Sequence, residues 1–427
     1  VTSGSPIDAS ASGLTNYSTA FSIDITTVTD NAMILAVMCT DRNDRTFTWS
    51  DGTELVDTIY KNTATVTINE KIESTAGTHS RGGTFNASTG GTEMAVALRD
   101  ISTTNNNFDF TVTTTTSSET FTIPCNNSGT FDATVDWGDG STSAITAYND
   151  ADLAHIYATA GDHDISISGT FPNIYFNNGG DKDKVKSVTN LGSVGWTSFQ
   201  RSFKGCSNMT SFDAGDCDTS SATSAREMFY NCTSLTSVDV SSLDTSSVTT
   251  MQYMFGFCSS ITSLDLSNFG TGLNTSSVTN FENVFRGCSS VTSLDVSSFN
   301  TSSVTNLAHA FRDCSSLTSL DVSSFDTSNV TNIFYMFSGC SSLTTITGIE
   351  DFDITGLAEN KMAGFLTSVT LSTTVYDELL VNYQGQTGYN NQDPNFGSST
   401  YTAGSAAATA RAALVTAGWS ITDGGTA

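Results

Sequence analysis

The 427-residue chain carries 43 Asp and Glu against 16 Lys and Arg, a net charge of −27, with 37% apolar residues and 26 Phe. That apolar content excludes a disordered chain, and the absence of clustered Lys and Arg excludes a nucleic-acid partner. No run approaches the ~18 apolar residues that span a bilayer, so membrane insertion is not expected, and the length calls for several cores of about 100–150 residues.

Residues 1–117 read as an N-terminal β-sandwich. Phe21, Ile23 and Ile25 alternate, as do Phe47 and Trp49, Val66 and Ile68, Met94, Val96 and Leu98, and Phe108, Phe110 and Val112; Met33 to Met38 forms an apolar run. Gly, Asn, Asp and Thr clusters separate them, the pattern of short antiparallel strands. The chain opens at Val1 on a polar stretch without a basic segment and apolar core, which is expected equally of a chain whose signal peptide has been removed and of one otherwise processed or partial.

Within residues 118–170, Val135-Asp136-Trp137-Gly138-Asp139-Gly140-Ser141 is followed by His155-Ile156-Tyr157 and by Gly161-Asp162-His163-Asp164-Ile165-Ser166-Ile167. These segments resemble a PKD-type immunoglobulin-like domain. The resemblance implies a tight turn at Trp137–Gly140 and a sandwich closed by the later strands. Asp136, Asp139, His155 and His163 are read as turn and packing residues, because Asx side chains satisfy turn backbone locally.

Residues 171–347 repeat. Phe203, Phe229, Phe255, Phe285, Phe311 and Phe337 recur every 26 residues, with four residues, Thr271 to Asn274, inserted once. In the unit starting at Phe311, Leu317, Leu320 and Val322 carry a leucine-rich-repeat strand spacing. Val330, Ile333, Phe337 and Cys340 follow at helical intervals. The expected fold class is therefore mainly β with a short α segment per repeat, stacked so that each unit buries its neighbour's apolar face. Cys206, Cys232, Cys258, Cys288, Cys314 and Cys340 form one column, expected to be reduced and buried because helices ~8–10 Å apart exceed the ~7 Å reach of a disulfide. Asp213, Asp239, Asp265, Asp295 and Asp321 form another, between inward Leu and Val, and should face outward beside Ser263, Ser293 and Ser319. Asp218, Asp244, Gly270, Asn300 and Asp326 read as turn caps.

The repeats from Val188 to Ile346 resemble the BspA-type leucine-rich-repeat surface proteins, in the pattern MF-x-x-C-x-S-L-T-S-L-D-V-S-S-F-D-T-S-x-V-T-N. The resemblance implies a cell-surface or secreted location and adhesion. Residues 348–427 read as a C-terminal cap, with helices at Val375 to Tyr383 and Ala406 to Ala417.

His79, His155, His163 and His309 stand in no catalytic or zinc spacing, and no nucleophile elbow or phosphate loop occurs, so no enzyme is expected. The expected function is extracellular or particle-surface adhesion through the solenoid face. The alternatives are a virion component, such as a fibre or capsid decoration, or a self-assembling coat or filament protein. The expected partner is a host or cell-surface protein or glycan, copies of the chain itself, or a capsid. No cofactor is expected. Ca²⁺ is the cation the acidic column would hold, although hydrogen bonds from neighbouring Ser and Thr are the favoured way of satisfying it.

Overall fold

The computed structural model describes residues 105–427 except 265, 267–273 and 387–390, together with the backbone of eight strands between residues 10 and 100. The chain divides into two compact units, 1–105 and 106–427, and is mainly β.

The first unit contains β1 (Ser10–Ser12), β2 (Ala20–Thr27), β3 (Ala32–Thr40), β4 (Phe47–Trp49), β5 (Thr53–Tyr60), β6 (Ala64–Ile72), β7 (Gly77–Phe85) and β8 (Thr92–Asp100). They form two antiparallel sheets, ordered β1-β8-β3-β6-β5 and β2-β7-β4. The apolar alternations predict β2, β3, β4, β6 and β8. β7 has no alternation, yet it is central to its sheet, paired to β2 on one edge and β4 on the other.

The second unit begins with β9 (Phe108–Thr114), β10 (Glu119–Thr122), β11 (Asp132–Asp136), β12 (Thr142–Ile145), β13 (Ala154–Tyr157) and β14 (Gly161–Thr170). β9 is expected in the N-terminal sandwich. It instead pairs with β14 and with β15 (Val185–Asn190), and its buried Phe108, Phe110 and Val112 belong to the second core. The divide thus falls at 105/106, not 117. β10 and β13 pair separately.

The Trp137–Gly140 segment is a turn. Asp136 Oδ1 accepts the Gly138 N–H at 2.9 Å, and Asp139 Oδ1 accepts the Ser141 N–H at 3.0 Å. Gly138 has φ of 76°, and a Cβ there would lie 2.3 Å from the Asp164 carbonyl oxygen, so glycine is required. His155 stacks on Trp137, its Nε2 lies 2.7 Å from Asp139 Oδ2, and the Tyr157 hydroxyl donates to the Trp137 carbonyl. These residues hold the turn and its core.

β16 (Ser211–Asp213) and β17 (Ser237–Asp239) then extend the β12-β11-β14-β9-β15 sheet in parallel to seven strands. The later repeats supply β18 (Ser263–Leu264) beside β19 (Ser293–Leu294), and β20 (Ser319–Asp321) beside β21 (Thr345–Thr347). β16 buries Phe212, β18 to β21 bury Leu264, Leu294, Leu320 and Ile346, and Val238 of β17 is half-buried.

The expected α segment is absent from the described repeats; the only α-helices among the described residues are α1 (Thr373–Gly385) and α2 (Ala406–Thr416), both where the C-terminal cap was expected to have them. Around each repeat Phe the chain alternates two kinds of hydrogen bond. Arg201, Glu227, Tyr253, Asn283, His309 and Tyr335 all have φ between 53° and 61°, and each donates its N–H to the next turn at 2.8–3.0 Å. The Phe two positions on does the same at 2.9–3.0 Å, from Phe203 N to Met228 O through to Phe337 N to Phe365 O. The residue between bonds within its own turn, as Met254 N does to Met251 O at 3.0 Å. These i→i−3 turns place inward side chains three and four apart, which imitates helical periodicity. The left-handed residues break any helix. Each costs about 1–2 kcal/mol, offset by a cross-turn hydrogen bond of about 1 kcal/mol and a buried Phe of about 1.5–3 kcal/mol.

This ladder aligns the columns. Neighbouring Phe rings from Phe203 to Phe337 lie 5.4–6.1 Å apart and within 20° of parallel. The six repeat cysteines are buried and unpaired. Five of the thiols donate to the carbonyl of the preceding repeat's Phe at 3.0–3.2 Å, from Cys232 Sγ to Phe203 O through to Cys340 Sγ to Phe311 O. Turns joined by backbone hydrogen bonds sit about 5 Å apart, inside the disulfide limit, so helix spacing does not explain the reduced state. Burial does: it pushes the Cys288 thiol up to about 12, and the thiolate that would attack is suppressed.

A second column escapes sequence reading. Thr219, Thr245, Thr275, Thr301 and Thr327 are buried. Thr301 Oγ1 donates to Asp326 O at 3.0 Å and accepts Asp326 N at 2.7 Å; Thr219 and Thr275 treat Asp244 and Asn300 the same way.

The last repeat is covered by α1 and α2. Tyr383 donates to Ile349 O at 2.8 Å, Arg411 pairs with Asp423 at 2.7 and 3.1 Å, and the Tyr376 hydroxyl donates to Asp423 at 2.6 Å.

Two outcomes follow for the stack. A thiol reagent applied to the native protein should leave the six repeat cysteines unmodified and label all six after denaturation without reductant; disulfide-linked peptides among them would contradict this. Thr301→Val should cost about 1–3 kcal/mol in denaturant unfolding, because it removes both hydrogen bonds that the buried hydroxyl makes to the Asp326 backbone, whereas Thr305→Val, at an exposed rung, should cost well under that.

Candidate binding face

Along each repeat strand the side chains alternate. Leu264, Leu294 and Leu320 turn inward and are at most 8% exposed, while Ser263, Ser293 and Ser319 lie exposed on the other face, with Asp239, Asp295 and Asp321. Register stacks like on like: Ser211 opposite Ser237, Asp213 opposite Asp239, and Ser263 opposite Ser293. Ser319 and Asp321 face Thr345 and Thr347. Asp265 lies outside the described residues.

The parallel pairing is interrupted after β17 and again after β19. Between these breaks stand β18 and β19, the pair joined through the four-residue insertion. Over this pair and the next opens a depression of about 480 Å³, lined by Ser263, Ser293, Ser319, Asp295, Asp321 and Thr347, with Leu264, Leu294 and Leu320 at its floor. Hydroxyls, carboxylates and a partly accessible apolar floor give a surface that can donate, accept and exclude water from a polar partner.

The described carboxylates each take a local backbone donor. Asp213 Oδ1 accepts Gly215 N at 2.8 Å, and Asp239, Asp295 and Asp321 accept the N–H of Ser241, Ser297 and Ser323 at 2.9 Å. The Ser323 hydroxyl adds a bond to Asp321 at 2.6 Å, and the two together hold its carboxyl below the usual range. Asp213 shifts the other way. Desolvation raises it, and the Asp239 and Asp216 charges add to that. Among the described residues no group of three or more His, Cys, Asp or Glu is gathered to hold a metal ion.

The second Asx column caps turns as expected, with one correction. Ser220, Ser246, Ser302 and Ser328 N–H groups donate to Asp218, Asp244, Asn300 and Asp326 at 2.9–3.1 Å. In the unit with the insertion, Asn274 does this, accepting Ser276 N at 3.0 Å; Gly270 lies outside the described residues. The extra residues precede Asn274, so counting forward from Phe255 lands short.

The turn ladder carries a surface that spacing alone does not reveal. Tyr230, Tyr253 and Tyr335 are half-buried, and cations lie over Tyr230, Tyr335 and the neighbouring Phe257. Lys204 Nζ is 5.0 Å from the Tyr230 centroid, Arg286 is 5.3 Å from that of Phe257, and Arg312 is 5.1 Å from that of Tyr335. Glu227, 5% exposed, pairs with Arg201, Lys204 and Arg226. Burial opposes its charge, but the hydrogen bonds from Lys204 and Arg201 prevail and keep its pKa low.

Residues 197–273 and 271–370 match a family described as a Mycoplasma protein of unknown function, DUF285. No curated protein and no solved structure matches the chain.

The opposite shifts at the two ends of the acidic column give opposite outcomes. A carboxyl raised in the folded state destabilises it above the unfolded pKa of about 3.9, so Asp213→Asn should raise the melting temperature at pH 7, and the gain should vanish below that pKa. A lowered carboxyl stabilises above the unfolded pKa and loses its contribution as pH falls through the folded value, so Asp321→Asn should lower the melting temperature at pH 7 and be neutral in strong acid. Thermal melts of both variants across pH 2–7 check the sign.

Proposed function

We propose that this chain is a non-enzymatic adhesion or receptor-binding protein, acting outside the cell or on a particle surface, that presents the strand face of a leucine-rich-repeat-type solenoid of the BspA kind. The PKD-like sandwich is its mount. The observation that carries the reading is the depression of about 480 Å³ on the strand face. Its rim is built from residues that repeat in register, and its backbone is held by the turn ladder, so a partner meets a surface that does not need ordering before it binds. The family match spans most of the residues that carry the BspA-type resemblance. No described helix is long and apolar enough to cross a membrane.

The polar rim suits a hydroxyl-rich or amide-rich ligand, a glycan or an exposed loop of a surface protein. Ser293 and Ser319 lie on the two strands between which pairing is lost, so a bulky side chain at either fills the depression without touching the core.

Ser293→Trp and Ser319→Trp, alone or with Ser263→Trp, should reduce attachment to cells or matrix at least tenfold while leaving the melting temperature within a few degrees of the parent. Unchanged attachment by the triple variant would move the binding site elsewhere.

A further inference from the structure

We propose that the turn ladder of the fourth and fifth repeats is a second binding site, for a linear acidic saccharide, with Arg286 and Arg312 as its anion-binding groups. Of the ten Lys and Arg in residues 106–427, five stand on this ladder, in a chain whose net charge is −27. Three of the five, Arg201, Lys204 and Arg226, surround Glu227, which leaves Arg286 and Arg312.

The local geometry identifies the ligand class. Arg286 and Arg312 occupy the same position in successive turns, about 5 Å apart, each guanidinium resting over an aromatic ring, Phe257 or Tyr335. Stacking fixes the plane of each fork; Arg286 Nη1 donates to Asn283 Oδ1 at 3.3 Å and Arg312 Nη1 lies 3.5 Å from His309 Nδ1, which leaves Nη2 of each for a carboxylate or a sulfate. A single carboxylate, Asp313, serves both, at 3.9 Å from Arg286 Nε and 3.3 Å from Arg312 Nε. Both of those Nε atoms are buried and form no hydrogen bond. Two cations facing one anion leave a positive charge unmatched. His309 does not add to it, since burial and the two arginines hold its pKa down to about 4.

Beside the guanidiniums, His309 stacks on Tyr335 with centroids 5.7 Å apart, and Phe334 lies edge-on at 4.4 Å. Half-exposed rings next to charged forks fit a chain that alternates a C–H face with an acidic group. A nucleic acid would extend its phosphates far past this patch into the acidic surface around it. Protein side chains would not require paired forks one turn apart.

The test uses the full chain, titrated calorimetrically with a galacturonate tetramer, which supplies carboxylates, and with a chondroitin sulfate hexasaccharide, which supplies sulfates as well. A neutral cello-oligosaccharide is the control. At least one acidic saccharide should bind, more weakly as salt rises. Arg286→Ala and Arg312→Ala should each weaken binding about tenfold or more, Arg286→Lys should recover only part of it, and Asp313→Asn should tighten it. The gain with Asp313→Asn cannot come from misfolding. Ser293→Trp should leave this binding intact, which separates it from the strand-face reading. Four outcomes overturn the proposal: no binding of either acidic saccharide, binding indifferent to the arginine variants, equal binding of the neutral control, or arginine-dependent self-association in sedimentation in place of saccharide binding.

Discussion

Every described repeat depends on one constraint: alternate backbone N–H groups must find a carbonyl in the next turn, not in their own. A helix would satisfy the same groups internally and leave neighbouring repeats joined by side chains alone. The left-handed residue before each repeat Phe prevents that and redirects the donors across the stack. Once the turns are pinned at a hydrogen bond's spacing, like residues must meet like. Phe rings lie nearly parallel, thiols reach the carbonyl of the previous turn, and threonine hydroxyls bridge the backbone of the next. The side-chain columns follow from the backbone pairing.

Much of this was legible in the sequence, because columns are a one-dimensional property. The Phe, Cys and Leu positions could be read directly, and so could α1 and α2, whose runs begin after Ser372 and Ser405, each accepting a first-turn N–H. The conformation of the segment between Val330 and Cys340 could not. A chain of i→i−3 turns and a helix put apolar residues at the same intervals, and only the sign of φ at residues such as His309 and Tyr335 separates them. Those two are ordinary helix-compatible residues. The strand face was legible as alternation, but its depression arises from lost pairing after β19, which no residue announces. The basic stripe was hidden for a simpler reason: Arg201 and Arg226 are 25 residues apart and Arg286 and Arg312 are 26 apart, and Arg226, Arg286 and Arg312 do not all share one column.

The boundary at β9 teaches a related lesson. Phe108, Phe110 and Val112 continue the style of the preceding strands, and local pattern assigns them there. Their partners are β14 and β15, more than fifty residues along the chain for β14, as in the register of Phe110 with Ile165. Strand identity is local, whereas sheet membership is a long-range choice.

β9 also joins two architectures. On one edge it pairs antiparallel with β14, itself paired antiparallel to β11; on the other it pairs antiparallel with β15, from which parallel pairing continues into β16 and β17. The antiparallel strands β9, β11, β12 and β14 and the first repeats therefore share a sheet instead of a linker. A pull on the repeat face would reach these antiparallel strands through rows of backbone hydrogen bonds, with no hinge to swing and no slack to take up. Load carried this way is spread over many bonds at once, and the angle at which the face meets a surface is set by sheet twist, a property of the backbone that side-chain exchange on either face leaves unchanged.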